Sequence, residues 1–500
     1  MNRSLSKHSN WLYPLLVLVI SFAIYFPFYG SPAAMFWDEN YHIASAQKHV
    51  DGVMYMEPHP PLGKMLMAVG ESLFGGNDKL DMSALNKTDY LKGDQMPSGM
   101  SFTGWRWPST VMMLLSALFF YGIIEQITQR KWVALLFTPL IIFDNALVVH
   151  SRAAMLEGIQ LCFILAALYW FSRVVSQKVY GDRAIKLSDY AVLGILIGLV
   201  VSVKLNGFVL LLLFVMLFGV DQWQAIKNWR IGELIIHLAK TVPSGVAPLA
   251  LVFFAVFYIH IGMGKTMIDN RTYKASPEYL AKIKAGETWA PSTFLVGVKD
   301  NLRFISEYAD GVPRLDECKV GENGSFALDW VVGKKTISYR WDRITQDGEA
   351  IVHYKYLVAN PVVWFSVLAG IVLSVILIGG RYVYNAPIKE PRLFYWIFAF
   401  TTLYIAYMTA ILQIERVMYM YHYMVPLIFG MINLALVFTY LFYDDVMQNR
   451  RHTMINLGIF AALVIGVFAF FSPFTYGFGL NEAQFELRNW FSFWKMQVVK

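Results

Sequence analysis

Residues 11–41 read WLYPLLVLVISFAIYFPFYGSPAAMFWDENY, and this stretch decides the fold. No charged residue occurs between Trp11 and Trp37, a run long enough to cross a hydrocarbon core about 30 Å thick. It ends on two adjacent carboxylates, Asp38 and Glu39, followed by a rigid turn with a lysine, His59-Pro60-Pro61-Leu62-Gly63-Lys64. An acid pair at a membrane boundary either ends a helix in water or performs a function, and the pair alone leaves both readings open.

The rest of the chain follows the same pattern. Of its 500 residues 57% are hydrophobic and only 15% charged, against about 25% charged in an ordinary soluble domain. The net charge of +7 sits largely in short loops between apolar runs, which is a topology signal and excludes a nucleic-acid footprint. The two cysteines, Cys162 and Cys318, provide no disulfide framework, and no spacing suits a metal. Ser31-Pro32-Ala33 resembles a cleavage site, but the preceding run is longer than a signal-peptide core and reads as a retained span.

The fold class is an all-α polytopic membrane protein. Eleven spans are predicted, near residues 11–29, 105–124, 132–150, 155–172, 189–203, 206–220, 241–262, 358–379, 393–412, 421–443 and 454–472. The third is interrupted by Asp144, and the fifth and sixth form a hairpin around Lys204-Leu205. Arg3, Lys7, Arg130, Lys131, Arg173, Lys178, Arg381, Arg392, Arg450 and Arg451 then fall on one side, predicting a cytoplasmic N-terminus. Three regions follow: 1–262, with seven spans and the polar loop 30–104; an external loop region, 263–356; and 357–500, with four spans and an external tail. Turn signals at Glu322-Asn323-Gly324 and Asp347-Gly348 predict ordered loops or short strands in the second region.

This topology brings the unusual polar motifs to the external face: Asp38-Glu39, Arg106, Asp144 to Glu157 with Arg152 between them, Lys204 to Asn206, and Arg416 to Tyr423. Arginine forks and lysine point charges suit a phosphate headgroup, and a carboxylate beside them suits a base that deprotonates a hydroxyl. Together they predict a lipid-phosphate donor whose sugar passes to an alcohol. Arg416, Tyr419 and Tyr423 would share a helical face and extend the phosphate or sugar contact. The Pro60-Pro61 pair would hold His59 and Lys64 in place. Snorkelling explains each cation singly, but not the accompanying acids.

The motifs, taken in order, resemble the protein O-mannosyltransferase family of the glycosyltransferase C class. They are Asp38-Glu39, His59 to Lys64, Gly104-Trp105-Arg106-Trp107-Pro108-Ser109, Asp144-Asn145-Ala146-Leu147 with Ser151-Arg152, Ser202 to Gly207, Asn360-Pro361-Val362-Val363-Trp364, and Arg416 with Tyr421-His422-Tyr423. The resemblance implies an inverting, metal-independent mannosyl transfer from a polyprenyl-phosphate donor to Ser/Thr hydroxyls of exported proteins at a bacterial inner membrane, with no cofactor. It implies Asp38 as base with Glu39 beside it, and Arg106, Lys204, Asn206, Arg416 and His422 around the donor, with Tyr423 adjoining. His59, Pro60, Lys64, Asp144, Arg152 and Glu157 would support them. The loop between spans 7 and 8 is too short for the MIR domain of eukaryotic members, which implies a bacterial type and leaves the acceptor open. A transferase acting on a glycolipid or envelope polysaccharide is the alternative. A secondary transporter is a remote one, since no inverted repeat is visible.

Overall fold

The structure is a computed structural model that describes residues 3–499 except Asn270 and Asp347, with side chains from Trp11 onward. The side chains of Arg3 and Lys7, and Asp347 of the expected Asp347-Gly348 turn, therefore lie outside the described residues.

Seven described helices are long and apolar enough to cross a membrane: Thr103–Thr128, Leu156–Gly181, Ile231–Met263, Pro361–Tyr384, Pro391–Leu412, Met420–Leu441 and Arg451–Tyr476. An eighth span is the pair Lys131–Ile142 and Asn145–Ser151, bent by 63°. The bend falls at the Asp144 that interrupts the apolar run in the sequence, because the Asp144 carboxylate caps the second helix by accepting from Leu147 N at 2.9 Å. The remaining three of the eleven expected spans coincide with shorter apolar helices, Trp11–Tyr25, Leu187–Val201 and Leu205–Asp221. At 1.5 Å per residue each is roughly 22–26 Å long, less than the hydrocarbon core. The chain is a multi-pass membrane protein with, among the described residues, seven or eight helices long enough to span and three shorter apolar helices.

Loop contacts test which motifs share an end of the bundle. Lys265 N donates to Gly52 O at 2.8 Å, and Val53 bridges Thr266, so the first and second long polar segments touch. Arg314 bridges Arg416, which brings the loop before Pro391–Leu412's successor helix to the same place. The second segment also contains a hairpin, β1 (Ile337–Gln346) and β2 (Glu349–Leu357), and the C-terminal tail adds β3 (Gly479–Leu480) to it. Tyr354, Tyr356, Phe474, Phe485 and Trp494 form the apolar cluster that fastens the tail to this sheet. The basic loops collect at the opposite end, where Arg130 donates to Met447 O, Trp132 bonds Asn449 and Lys389 pairs with Asp444.

Small residues set the approach of the helices under the motif end. A Cβ on Gly70 would lie 2.4 Å from Gly104 O, and one on Gly104 would lie 2.7 Å from Glu71 Cα. The Leu62–Phe74 helix therefore crosses the start of Thr103–Thr128 in backbone contact, which fixes Arg106 two residues on. Gly63 similarly admits the Leu156 side chain, since an added Cβ would sit 2.4 Å from it.

Candidate active site

Asp38 lies in the turn just before the Glu39–Val50 helix, at the entrance of the bundle. It is half-buried, and its Oδ2 accepts from Tyr421 Oη at 3.2 Å. Desolvation pushes its carboxyl above the ordinary carboxylate range, with Glu157 adding to the rise; Lys204, His150 and the Tyr421 hydroxyl oppose it. A carboxylate raised in this way can accept a proton.

A continuous polar network runs away from Asp38. Tyr421 stacks on His150, with ring centroids 5.0 Å apart. His150 Nε2 lies 2.8 Å from Glu157 Oε2, and its Nδ1 lies 2.5 Å from Tyr339 Oη. The other oxygen of Glu157 accepts from Lys204 Nζ at 2.5 Å, and that ammonium lies 5.7 Å from the centre of the Tyr421 ring. Gln160 ties the Lys204 carbonyl to the Asn206 side chain, which donates to Tyr407 Oη at 2.8 Å. His422 closes the circuit: Nδ1 lies 3.0 Å from Tyr419 O and 3.4 Å from Tyr419 N, the ring stacks on Tyr421, and Nε2 has no partner among the described residues. Arg416 stands partly exposed beside Tyr419 and His422 and has no carboxylate partner among the described residues.

The His-Pro-Pro turn is part of this end. Leu62 N donates to Ser202 O at 3.1 Å, joining the turn to the one that presents Lys204. Pro60 is buried; burial, with Lys204 and Lys64 nearby, holds the His59 imidazole well below its ordinary value. Lys64 is spent on Glu57 at 2.6 Å, inside the protein.

Three of the expected ligand or base residues have other partners. Glu39 and Arg106 are fully buried and face each other: Arg106 Nε donates to Oε1 at 2.7 Å and Nη2 to Oε2 at 2.8 Å. Ala154 N and Phe36 N also donate to Glu39, and the carbonyls of Tyr29, Pro32 and Ala34 take the remaining Arg106 donors. Neither has capacity left for a donor phosphate or an acceptor, so the pair fastens the Asp38 turn to the bundle. The expected helical face Arg416, Tyr419, Tyr423 does not form, because the chain is non-helical up to Tyr419. Tyr423 instead points into the helix pack, bonding Tyr404 Oη at 2.9 Å and lying against Trp364.

Asp144 and Arg152 support the site structurally. Asp144 accepts from Leu147 N, Trp364 Nε1 and Asn360 N, while Arg152 donates to the carbonyls of Tyr25 and Pro27 and covers the Tyr476 ring. Conversely, Tyr339, Tyr407 and Gln160 were not singled out from the sequence. Tyr339 carries no signal there, whereas His150 lies inside the quoted Asp144 to Glu157 segment. A cavity of about 410 Å³ opens beside Asp38, walled by Met35, Phe36, Trp37, Asn40, Tyr41, Tyr90, Tyr339, Arg340 and Tyr419.

Residues 15–263 match the family model described as dolichyl-phosphate-mannose-protein mannosyltransferase, and residues 316–494 match the C-terminal four TMM region of protein-O-mannosyltransferase. The chain is 22% identical to the polyprenol-phosphate-mannose–protein mannosyltransferase of Mycolicibacterium smegmatis, over 98% of this chain and 94% of that one. It is 27% identical to dolichyl-phosphate-mannose–protein mannosyltransferase 1 of Saccharomyces cerevisiae, over 51% of this chain and 30% of the yeast protein. In three dimensions it resembles a chain of the S. cerevisiae protein O-mannosyltransferase Pmt1-Pmt2 complex, with TM-score 0.77 and 15% identity, covering 97% of this chain and 92% of the other. The shared architecture is the glycosyltransferase C fold. Matched by family models over residues 15–263 and 316–494 and by a bacterial relative along nearly its whole length, the chain belongs to the protein O-mannosyltransferase family.

Proposed function

We propose that this protein transfers a mannosyl residue from a polyprenyl-phosphate donor to Ser/Thr hydroxyls of exported proteins, at the external face of a bacterial inner membrane. The observation that carries the chemistry is the half-buried Asp38 carboxylate, bonded to Tyr421 and backed by the Glu157–Lys204 pair. The acceptor hydroxyl attacks the anomeric carbon as Asp38 takes its proton. The bond from that carbon to the phosphate oxygen breaks, the configuration inverts, and polyprenyl phosphate leaves with the electron pair. Lys204 and Arg416 are the cations placed to hold the leaving phosphate, with Asn206 and His422 Nε2 beside them. Glu39, Arg106, Asp144 and Arg152 position this machinery and do not touch substrate. The basic-loop asymmetry supports an orientation with the network outside and the Arg130, Lys389 and Arg450 loops in the cytoplasm. No metal or cofactor enters the mechanism. Glycoproteomics of a strain lacking the gene tests the acceptor class: hexose should disappear from external Ser/Thr peptides. An unchanged glycoproteome with an altered envelope glycolipid would contradict it.

A further inference from the structure

One wall of the cavity beside Asp38 is a β-strand. It is the start of β1, whose Tyr339 and Arg340 face the cavity while the strand continues outward to Gln346. The strand order is β1-β2-β3, so β1 is the sheet's outer strand. Among the described residues, no backbone group of residues 337–346 bonds anything beyond β2. Every second residue of such an edge turns an unsatisfied N–H and C=O outward.

Two further features show how this edge is joined to the site. The β1–β2 register shifts between Ser338 and Arg340, a bulge that re-aims Tyr339 so that its ring stacks on Trp37 at 5.4 Å and its hydroxyl meets His150. Beyond the bulge, Trp341 and Ile344 are 50% and 46% exposed. Arg340, Asp342 and Arg343 charge the strand beside these apolar side chains, while its open backbone leads directly to the base.

We propose that the open edge of β1 receives the acceptor polypeptide as a fourth strand, with Trp341 and Ile344 packing against it and the bulge at Tyr339 ending the pairing beside Asp38. The inference rests on the protein-acceptor reading above. Main-chain bonds would supply the register whatever the acceptor's side chains, and strand alternation would point one hydroxyl into the cavity.

The test uses the purified full-length enzyme, a polyprenyl-phosphate-mannose donor and a set of single-serine peptides. In each peptide one backbone amide is replaced by an ester, which deletes an N–H without adding bulk. Strand addition predicts that KM rises about three- to tenfold for esters at alternating positions on one side of the serine, with kcat unchanged and the intervening positions within twofold. Indifference to every ester, or equal losses at all positions, overturns the strand while leaving the protein-acceptor reading intact. Absence of transfer to any peptide, with transfer to a lipid acceptor, overturns both.

Discussion

Tyr421 Oη donates a 3.2 Å hydrogen bond to Asp38 Oδ2, joining positions 383 residues apart in sequence. The bond links the turn before Glu39–Val50 to the first turn of Met420–Leu441, and it stabilises the charged form of a carboxylate that burial disfavours. The proposed base therefore depends on a residue from the C-terminal third of the chain.

Asp38→Asn should lower transfer by about 10²–10⁴-fold with the protein folded and inserted. The raised carboxyl of Asp38 means that its ionisation costs stability, a cost absent at low pH and incurred as pH rises through the folded-state value. Thermal unfolding at neutral pH should accordingly find the Asn variant no less stable than wild type. Near-normal turnover would remove Asp38 from the base role.

The acid limb of the kcat/KM profile should lie above the ordinary aspartate range near pH ~4, since the base works only when ionised. Tyr421→Phe deletes the hydroxyl that favours ionisation, so its limb should move further up in pH. A limb unmoved by that change would separate Tyr421 from the base.

Glu39→Gln and Arg106→Lys should act on folding. Removing one partner of a fully buried, multiply bonded ion pair costs about 3–5 kcal/mol. The expected reading is a lower unfolding midpoint in detergent with a donor KM near wild type for the protein that remains folded. A raised donor KM at unchanged stability would return Arg106 to the phosphate.

Lys204→Met and Glu157→Gln should be strongly non-additive, because Glu157 holds both Lys204 and His150. A double-mutant cycle on kcat/KM should give a coupling of roughly 0.5–3 kcal/mol. Additive losses would mean the two side chains act separately.

Arg416→Lys keeps the charge but loses the planar fork, and donor KM should rise about tenfold with kcat less affected. A wild-type donor KM would leave Arg416 as a residue that only reaches toward the headgroups.

Much of this was legible in the sequence because apolar runs and basic loops are set by the bilayer itself. Every expected span has an apolar helix at its place, although Trp11–Tyr25, Leu187–Val201 and Leu205–Asp221 are short. The convergence of Asp38, Glu157, Lys204, Asn206 and His422 was legible for the same reason. The division of labour among the charges was not. Arg106 and Lys204 look alike in sequence, and only Glu39, 67 residues from Arg106, shows that one is consumed by a structural pair. Tyr423 was misplaced because a helical period was extended through the non-helical segment before Met420. Tyr339 was invisible because its role comes from a bulge in a strand, not from any local pattern.

The central claim is that Asp38 drives mannosyl transfer to a protein hydroxyl, and one assay addresses it directly. Purified wild-type and Asp38→Asn protein are incubated with radiolabelled polyprenyl-phosphate-mannose, a Ser/Thr-rich unstructured peptide, and in parallel a membrane lipid extract. The account predicts label on the peptide with wild type and its loss by at least about 10²-fold with the variant. Label on the lipid extract alone, or undiminished peptide labelling by Asp38→Asn, would contradict it.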